Sequence, residues 1–327
     1  MTHPRILLAL DGRLFDLPER VVVFGARAGD DLSDLAGAAG LQVVTGIKPD
    51  VDAFAANGVT AGPDVPASAD LALVFLPRSK EQARGMIAQA ASIAPVVAVD
   101  GMKTDGVDSL MKAARAKSDL TGPVNKAHGK LFVMRNANLA DWAMPDAPRD
   151  IGDGFVTVPG VFSADGVDPA SALLAASLPV KLGGKLADFG AGWGYLSRYI
   201  LTRDTVRSLH LVESDHNALT CARQNVTDPR ATFHWVDATT WRADGALDGI
   251  IMNPPFHTTR AADPELGRAF IANAAANLAP SGRLWMVANR HLPYETALAE
   301  HFAQVEEFGG DARFKLIAAS RPSRKRG

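Results

Sequence analysis

Two stretches of this 327-residue chain run in register with each other, and that repeat limits the possible folds more than any other feature. Ala69-Asp70-Leu71-Ala72-Leu73-Val74-Phe75-Leu76-Pro77 matches Leu247-Asp248-Gly249-Ile250-Ile251-Met252-Asn253-Pro254-Pro255. Each is an acid-led apolar run stopped by proline, and in each half an earlier strand enters a glycine turn, at Phe24-Gly25 and at Phe189-Gly190. Short runs that are apolar at every position, separated by helical stretches, predict strands buried on both faces of a parallel sheet. The length accommodates two such cores. The expected architecture is therefore α/β, with two tandem doubly wound, Rossmann-like domains.

The first half carries Val21-Val22-Val23-Phe24, Val43-Val44, Leu71 to Phe75 and Pro95-Val96-Val97-Ala98-Val99 as strands. Its glycine turn, Gly25-Ala26-Arg27-Ala28-Gly29-Asp30, lacks close glycine spacing, and its second strand ends at Thr45-Gly46 without an acid. Proline and polar residues from Trp142 to Asp150 break the apolar periodicity, which places the domain boundary there, giving domains 1–150 and 151–327. Phe75 occupies the register position of Asn253, so the first copy is expected to keep the fold without binding a cofactor.

In the second half Leu186-Ala187-Asp188-Phe189 turns through Gly190, Gly192 and Gly194 into a helix with Leu196, Tyr199 and Ile200 on its apolar positions. Glycines there suit positive φ and close approach of a ligand. Glu213 ends the strand Leu209-His210-Leu211-Val212 at the distance where an acid accepts from both hydroxyls of a ribose. Asp215 is expected to cap the following helix. The strand from Thr232 to Val236 ends at Asp237-Ala238, where a carboxylate can accept from an adenine amine. Leu266, Phe270, Ala274 and Leu278 form one helix face closed by Pro280-Ser281-Gly282. Leu284 to Ala288 follows as a strand, and a hairpin around Gly309-Gly310-Asp311 ends the fold.

Asn253 falls at the carboxyl end of a buried strand. Pro254 and Pro255 fix φ and donate no hydrogen bonds, so their carbonyls point in set directions, with the Phe256 ring beside them. This loop is the expected place of chemistry.

Charge and composition exclude other classes. A net charge of −2 argues against a whole-molecule electrostatic nucleic-acid binder, which leaves local basic patches. Ile6-Leu7-Leu8-Ala9-Leu10 is too short for a secretory core and no apolar run approaches membrane-spanning length, so the expected location is the cytoplasm. The only cysteine, Cys221, lies in a helical pattern and is expected to be a core thiol. The eight histidines show no metal-ligand spacing, and no metal is expected.

Taken together, Asp188-x-Gly190-x-Gly192-x-Gly194, Glu213, Asp237 and Asn253-Pro254-Pro255-Phe256-His257 resemble the class I S-adenosylmethionine-dependent methyltransferases. Within them the chain is similar to the small-subunit rRNA guanine-N2 methyltransferase family and its large-subunit relatives. Pro159-Gly160-Val161-Phe162-Ser163 and Ala288-Asn289-Arg290-His291-Leu292-Pro293-Tyr294 match in the same order, and Pro77-Arg78-Ser79-Lys80 looks like the family's basic loop in the weaker first half.

The resemblance implies a seven-stranded catalytic sheet with one antiparallel strand, and a degenerate first domain serving stability and RNA contact. It implies S-adenosylmethionine as cofactor, with Phe162 and Ser163 closing over its methionine part, although core packing competes for Phe162. The implied acceptor is guanine N2 of ribosomal RNA, most naturally 16S rRNA, naked or in the subunit. The protein is expected to act as a monomer. For His257 a structural or RNA-contact role is favoured over proton relay. Lys112, Arg115, Lys117, Lys126 and Lys130 are candidates for phosphate contact or a solvated face, and the tail Arg321 to Arg326 reads as solvated.

Rival readings are a 23S rRNA guanine, a protein glutamine or a nucleic-acid adenine as acceptor. From other classes come an NAD-dependent oxidoreductase using the glycines and Glu213, and a non-catalytic rRNA-binding assembly factor.

Overall fold

The computed structural model describes residues 3–145, 147–255 and 264–323. The chain divides into two compact units, Met1–Ala147 and Pro148–Gly327.

The first unit runs α1 (Pro4–Asp11), β1 (Arg20–Phe24), β2 (Gly40–Val44), α2 (Lys48–Ala56), β3 (Thr60–Gly62), β4 (Leu71–Phe75) and α3 (Lys80–Ile93). It continues through β5 (Val96–Met102), α4 (Val107–Arg115), β6 (Asp119–Lys126) and β7 (Gly129–Arg135). Its seven strands lie in the order β3-β2-β1-β4-β5-β7-β6, and β7 alone runs antiparallel to its neighbours. Helix α1 exists because Ile6 and Ala9 bury one side, while Arg5 pairs with the buried carboxylate of Asp100.

The second unit opens with a two-stranded ladder, β8 (Arg149–Asp150) and β9 (Val156–Thr157). Then come α5 (Pro169–Ser177), β10 (Lys185–Phe189), α6 (Tyr195–Leu201), β11 (Ser208–Glu213), α7 (His216–Asn225), β12 (Ala231–Trp235) and β13 (Leu247–Met252). The chain closes with α8 (Pro264–Asn277), β14 (Leu278–Asn289), α9 (Glu295–His301), β15 (Phe302–Gly310) and β16 (Phe314–Pro322). The strand order is β12-β11-β10-β13-β14-β16-β15, and β16 is the antiparallel strand. Strand for strand this repeats the first sheet, so the duplicated rhythm of the sequence is a duplicated topology.

The register makes the equivalence exact to the residue. Phe24 pairs with Val44 and Val74, and Phe189 pairs with Val212 and Met252. One step further along each strand, Thr45 stands where the second unit has Glu213, and Phe75 stands where it has Asn253. The central strands are apolar because helices cover both faces. On one face Ala187, Phe189, Ile250 and Met252 pack with Phe270, Ile271 and Ala274 of α8. On the other, Leu186, Leu211 and Ile251 meet Leu174, Leu196 and Ile200. Each Leu, Ile, Phe or Met side chain among them contributes about 1.5–3 kcal/mol on burial.

One boundary differs from expectation. Strand β14 begins at Leu278, ahead of Pro280-Ser281-Gly282, because Leu278 pairs with Leu247 while Gly249 pairs with Arg283. The Pro-Ser-Gly segment is thus a bulge inside a strand rather than the end of a helix, and buried Leu278 anchors it. Cys221 is buried, and burial pushes its thiol up to about 11. Among the described residues no helix is long and apolar enough to cross a membrane, and no cluster of metal-ligating side chains occurs.

Candidate active site

Strand order reverses direction between β10 and β13, and in open α/β sheets ligands bind outside the carboxyl ends of strands at such a point. Here those ends present Gly190 after β10, Glu213 at the end of β11, Asp237 beyond β12 and Asn253 after β13.

The glycine turn divides its work. Gly190, Gly192 and Gly194 have φ of 69°, 55° and 91°. Gly190 donates its N–H to the Val212 carbonyl at 2.8 Å, which ties the turn to β11. A Cβ on Gly190 would come 4.0 Å from the Asn253 carbonyl oxygen, and one on Gly192 would meet nothing within 4 Å. A Cβ on Gly194 would instead strike Val226 at 2.8 Å, so the third glycine lets α6 and α7 pack closely.

Two buried carboxylates lie beneath this turn. Asp188 is fully buried, and Ser197 Oγ donates to its Oδ2 at 2.7 Å. Its Oδ1 has no hydrogen-bond partner among the described residues. Burial pushes the Asp188 carboxyl up to about 7, the Ser197 hydrogen bond works against this, and the nearby Glu213 charge adds to it. Glu213 accepts from the Gly192 N–H at 2.7 Å and the Asp215 N–H at 2.8 Å, so it holds the turn as well as facing the crevice. Burial raises its pKa, opposed by those backbone hydrogen bonds. Asp215 caps α7, accepting from the Asn217 N–H at 2.9 Å, as its position predicts. Asp237 is partly exposed and accepts from the Thr239 N–H at 2.7 Å. The carbonyl of buried Ala238 is held by Asn273 Nδ2 at 2.6 Å.

Asn253 is half-buried, Pro254 buried and Pro255 exposed. Asn253 Nδ2 donates to Asp168 Oδ2 at 3.0 Å and to Ser171 Oγ at 2.9 Å, the N-cap and a first-turn residue of α5. Phe162 is 58% exposed, which sets aside core packing for its ring, and its carbonyl accepts from Trp193 Nε1 at 3.0 Å. Ser163 has φ 53° and its hydroxyl donates to the Gly166 carbonyl at 2.7 Å, so it shapes the loop that presents Phe162. Phe256, His257 and the basic tail from Arg324 lie outside the described residues.

Sequence reasoning missed Asp168, Ser171, Asn273 and Asn277. The last two hold the loop after Asp237, with Asn273 Nδ2 on the Trp241 carbonyl at 2.9 Å and Asn277 Oδ1 accepting from the Ala243 N–H at 2.8 Å. Their signal was a pair of amides four residues apart in an apolar helix. Of the basic residues in the first unit, Lys117 pairs with Asp141 and Lys130 with Asp108, whereas Lys112, Arg115 and Lys126 are exposed.

Residues 153–318 match the family model of the methyltransferase small domain. The ribosomal RNA small subunit methyltransferase C of Shewanella halifaxensis is 31% identical over 267 residues, 77% of each chain. The chain belongs to the ribosomal RNA small subunit methyltransferase C family. The Yersinia enterocolitica member is 28% identical over 324 residues, covering 93% of this chain and 92% of that one. A solved T. thermophilus 16S rRNA N2 G1207 methyltransferase, in complex with AdoMet and guanosine, superposes with a TM-score of 0.80 at 24% identity. It covers 98% of this chain and 92% of that one, and it shares the fold across both units. Membership of the small subunit methyltransferase C family removes the dehydrogenase and the non-catalytic assembly factor left open by the sequence.

Proposed function

We propose that this protein transfers a methyl group from S-adenosylmethionine to the exocyclic N2 amine of a guanosine in 16S ribosomal RNA. The residues at the switch point fit that cofactor. Two buried carboxylates, one with an unpartnered oxygen, suit a cationic ligand rich in hydroxyl and amine donors, and Gly192 leaves space above them. Glu213 takes the ribose hydroxyls, Asp237 beside Ala238 the adenine amine, and Asp188 with the glycine turn the amino-acid end, with Phe162 closing over it. Once bound, S-adenosylmethionine supplies an electrophilic methyl on a sulfonium.

The observation that carries the proposal is the place and setting of Asn253. It lies one strand across from Gly190, and both hydrogens of its side-chain amide are committed to Asp168 and Ser171. Oδ1 is therefore on the other side of the carboxamide. An exocyclic amine conjugated to its ring is a poor nucleophile until its lone pair is localised. Asn253 Oδ1 and the Pro254 carbonyl each accept one amine hydrogen, which favours a tetrahedral nitrogen whose lone pair faces the methyl group. Pro255 keeps that carbonyl direction fixed. This is positioning and electrostatic complementarity without a strong base, and the methylated nitrogen, now cationic and strongly acidic, releases its surplus proton to water. Phe256 stacks on the extruded base, worth about 1–3 kcal/mol.

Asn253→Ala tests the mechanism. The variant is expected to bind S-adenosylmethionine by calorimetry as the parent does, yet form no N2-methylguanosine when 30S subunits are digested and their nucleosides read by mass spectrometry. Parental methylation by Asn253→Ala would sink the scheme. We also propose that the first unit serves stability and RNA contact through its exposed Lys112, Arg115 and Lys126. We propose further that the protein works in the cytoplasm beside its RNA, and as a monomer.

A further inference from the structure

Asn253 faces a choice that its own chemistry does not settle. A terminal carboxamide torsion is broad and roughly two-fold, so oxygen and NH2 exchange places at little cost unless a neighbour distinguishes them. With oxygen toward the acceptor base the loop accepts amine hydrogens. With NH2 toward it, a donor would confront a donor.

We propose that Asp168, assisted by Ser171, is the positioning residue that sets which end of the Asn253 carboxamide faces the acceptor; this rests on the methyl-transfer reading above. Asp168 Oδ2 accepts from Asn253 Nδ2 at 3.0 Å while also accepting from the Ser171 N–H at 2.8 Å as the N-cap of α5. Ser171 Oγ takes the second amide hydrogen at 2.9 Å and is buried. A carboxylate accepts hydrogen bonds and offers none, so it tolerates only the NH2 end of Asn253. Turned over, the carboxamide would set its oxygen against an anion. Because Pro169 follows Asp168 and fixes the first turn of the helix, the cap geometry and the Asn253 anchor are one unit. The contact spans 85 residues of sequence and joins the loop before α5 to the end of β13.

Asp168→Ser isolates this role, since serine caps helices about as well as aspartate does while its short side chain withdraws the acceptor from Asn253. With that acceptor withdrawn, the carboxamide turns over in part of the molecules. The expected result is a loss of kcat of at least about tenfold, with KM for S-adenosylmethionine and for 30S subunits within about twofold, because the lost interaction is made in the transition state. Asp168→Asn is the conservative control: its oxygen can keep the place of Oδ2 on both the Ser171 N–H and Asn253 Nδ2, so kcat is expected to stay within about twofold of the parent.

A readout independent of activity comes from 15N-asparagine labelling, with the Asn253 NH2 pair identified by its disappearance in Asn253→Ala. In Asp168→Ser that pair is expected to shift. An unmoved pair in Asp168→Ser, or a kcat of that variant within about twofold of the parent, overturns the proposal. If the parent protein methylates no guanine while the NH2 pair still shifts, the acceptor assignment fails and the positioning of Asn253 by Asp168 stands.

Discussion

At Asp188 the fold keeps a carboxyl group fully away from water, with Ser197 its only hydrogen-bond donor among the described residues. Its pKa is raised from 3.8 to about 7, first by burial. Between those values the folded state holds a proton that the unfolded state has released. Stability from this group therefore falls as pH rises from about 4 to 7, by an amount of order 4 kcal/mol at most. Asp188→Asn, neutral at every pH, is expected to flatten that slope in urea unfolding of the ligand-free protein at pH 5 and pH 8; an equal slope in both proteins would contradict it. Asp188, Glu213 and Asn253 were legible because each stands at or next to the end of a recognisable strand. Asp168 and Ser171 were not, since their partner lies 85 and 82 residues away and nothing local distinguishes an Asp-Pro helix start that also orients a distant amide.

At the scale of elements the three glycines look equivalent in sequence and differ in surroundings. Gly194 combines φ 91° with a Cβ position 2.8 Å from Val226, whereas Gly192 has φ 55° and open space. Gly194→Ala is expected to destabilise by about 1–3 kcal/mol from backbone strain, plus the overpacking of α6 against α7. Gly192→Ala is expected to cost less stability and more cofactor affinity, because its methyl enters the crevice. Denaturant midpoints and calorimetry of both variants check the ranking, and the reverse order would refute it. Strand positions were readable from runs that are apolar on both faces. The start of β14 was not, because a Pro-Ser-Gly sequence signals a turn equally well between elements and as a bulge within one.

Over the whole molecule two sheets of identical order diverge in what their strand ends carry. Thr45 stands in place of Glu213. Phe75 stands in place of Asn253 and stacks on His3 with ring centroids 4.2 Å apart and planes 7° from parallel. The Ala28 N–H of the first glycine turn is already taken by Asp50 at 2.9 Å. His3 sits 3.2 Å from Asp30 and 3.5 Å from Asp100; burial opposes its charge, yet these carboxylates raise it to about 9. The turn and strand end proposed to hold ligand in the second unit are occupied in the first by the protein's own side chains. Titration calorimetry is therefore expected to find one S-adenosylmethionine per chain, and a stoichiometry of two would overturn that. The sequence by itself determined the duplicated α/β fold, the glycine turn and the acid and amide at the strand ends, because strand burial and turn chemistry are local properties. Only the tertiary structure decided which glycine packs against a helix and which opens onto free space, and that Asp168 meets the Asn253 carboxamide, because such contacts depend on atoms brought together from distant parts of the chain.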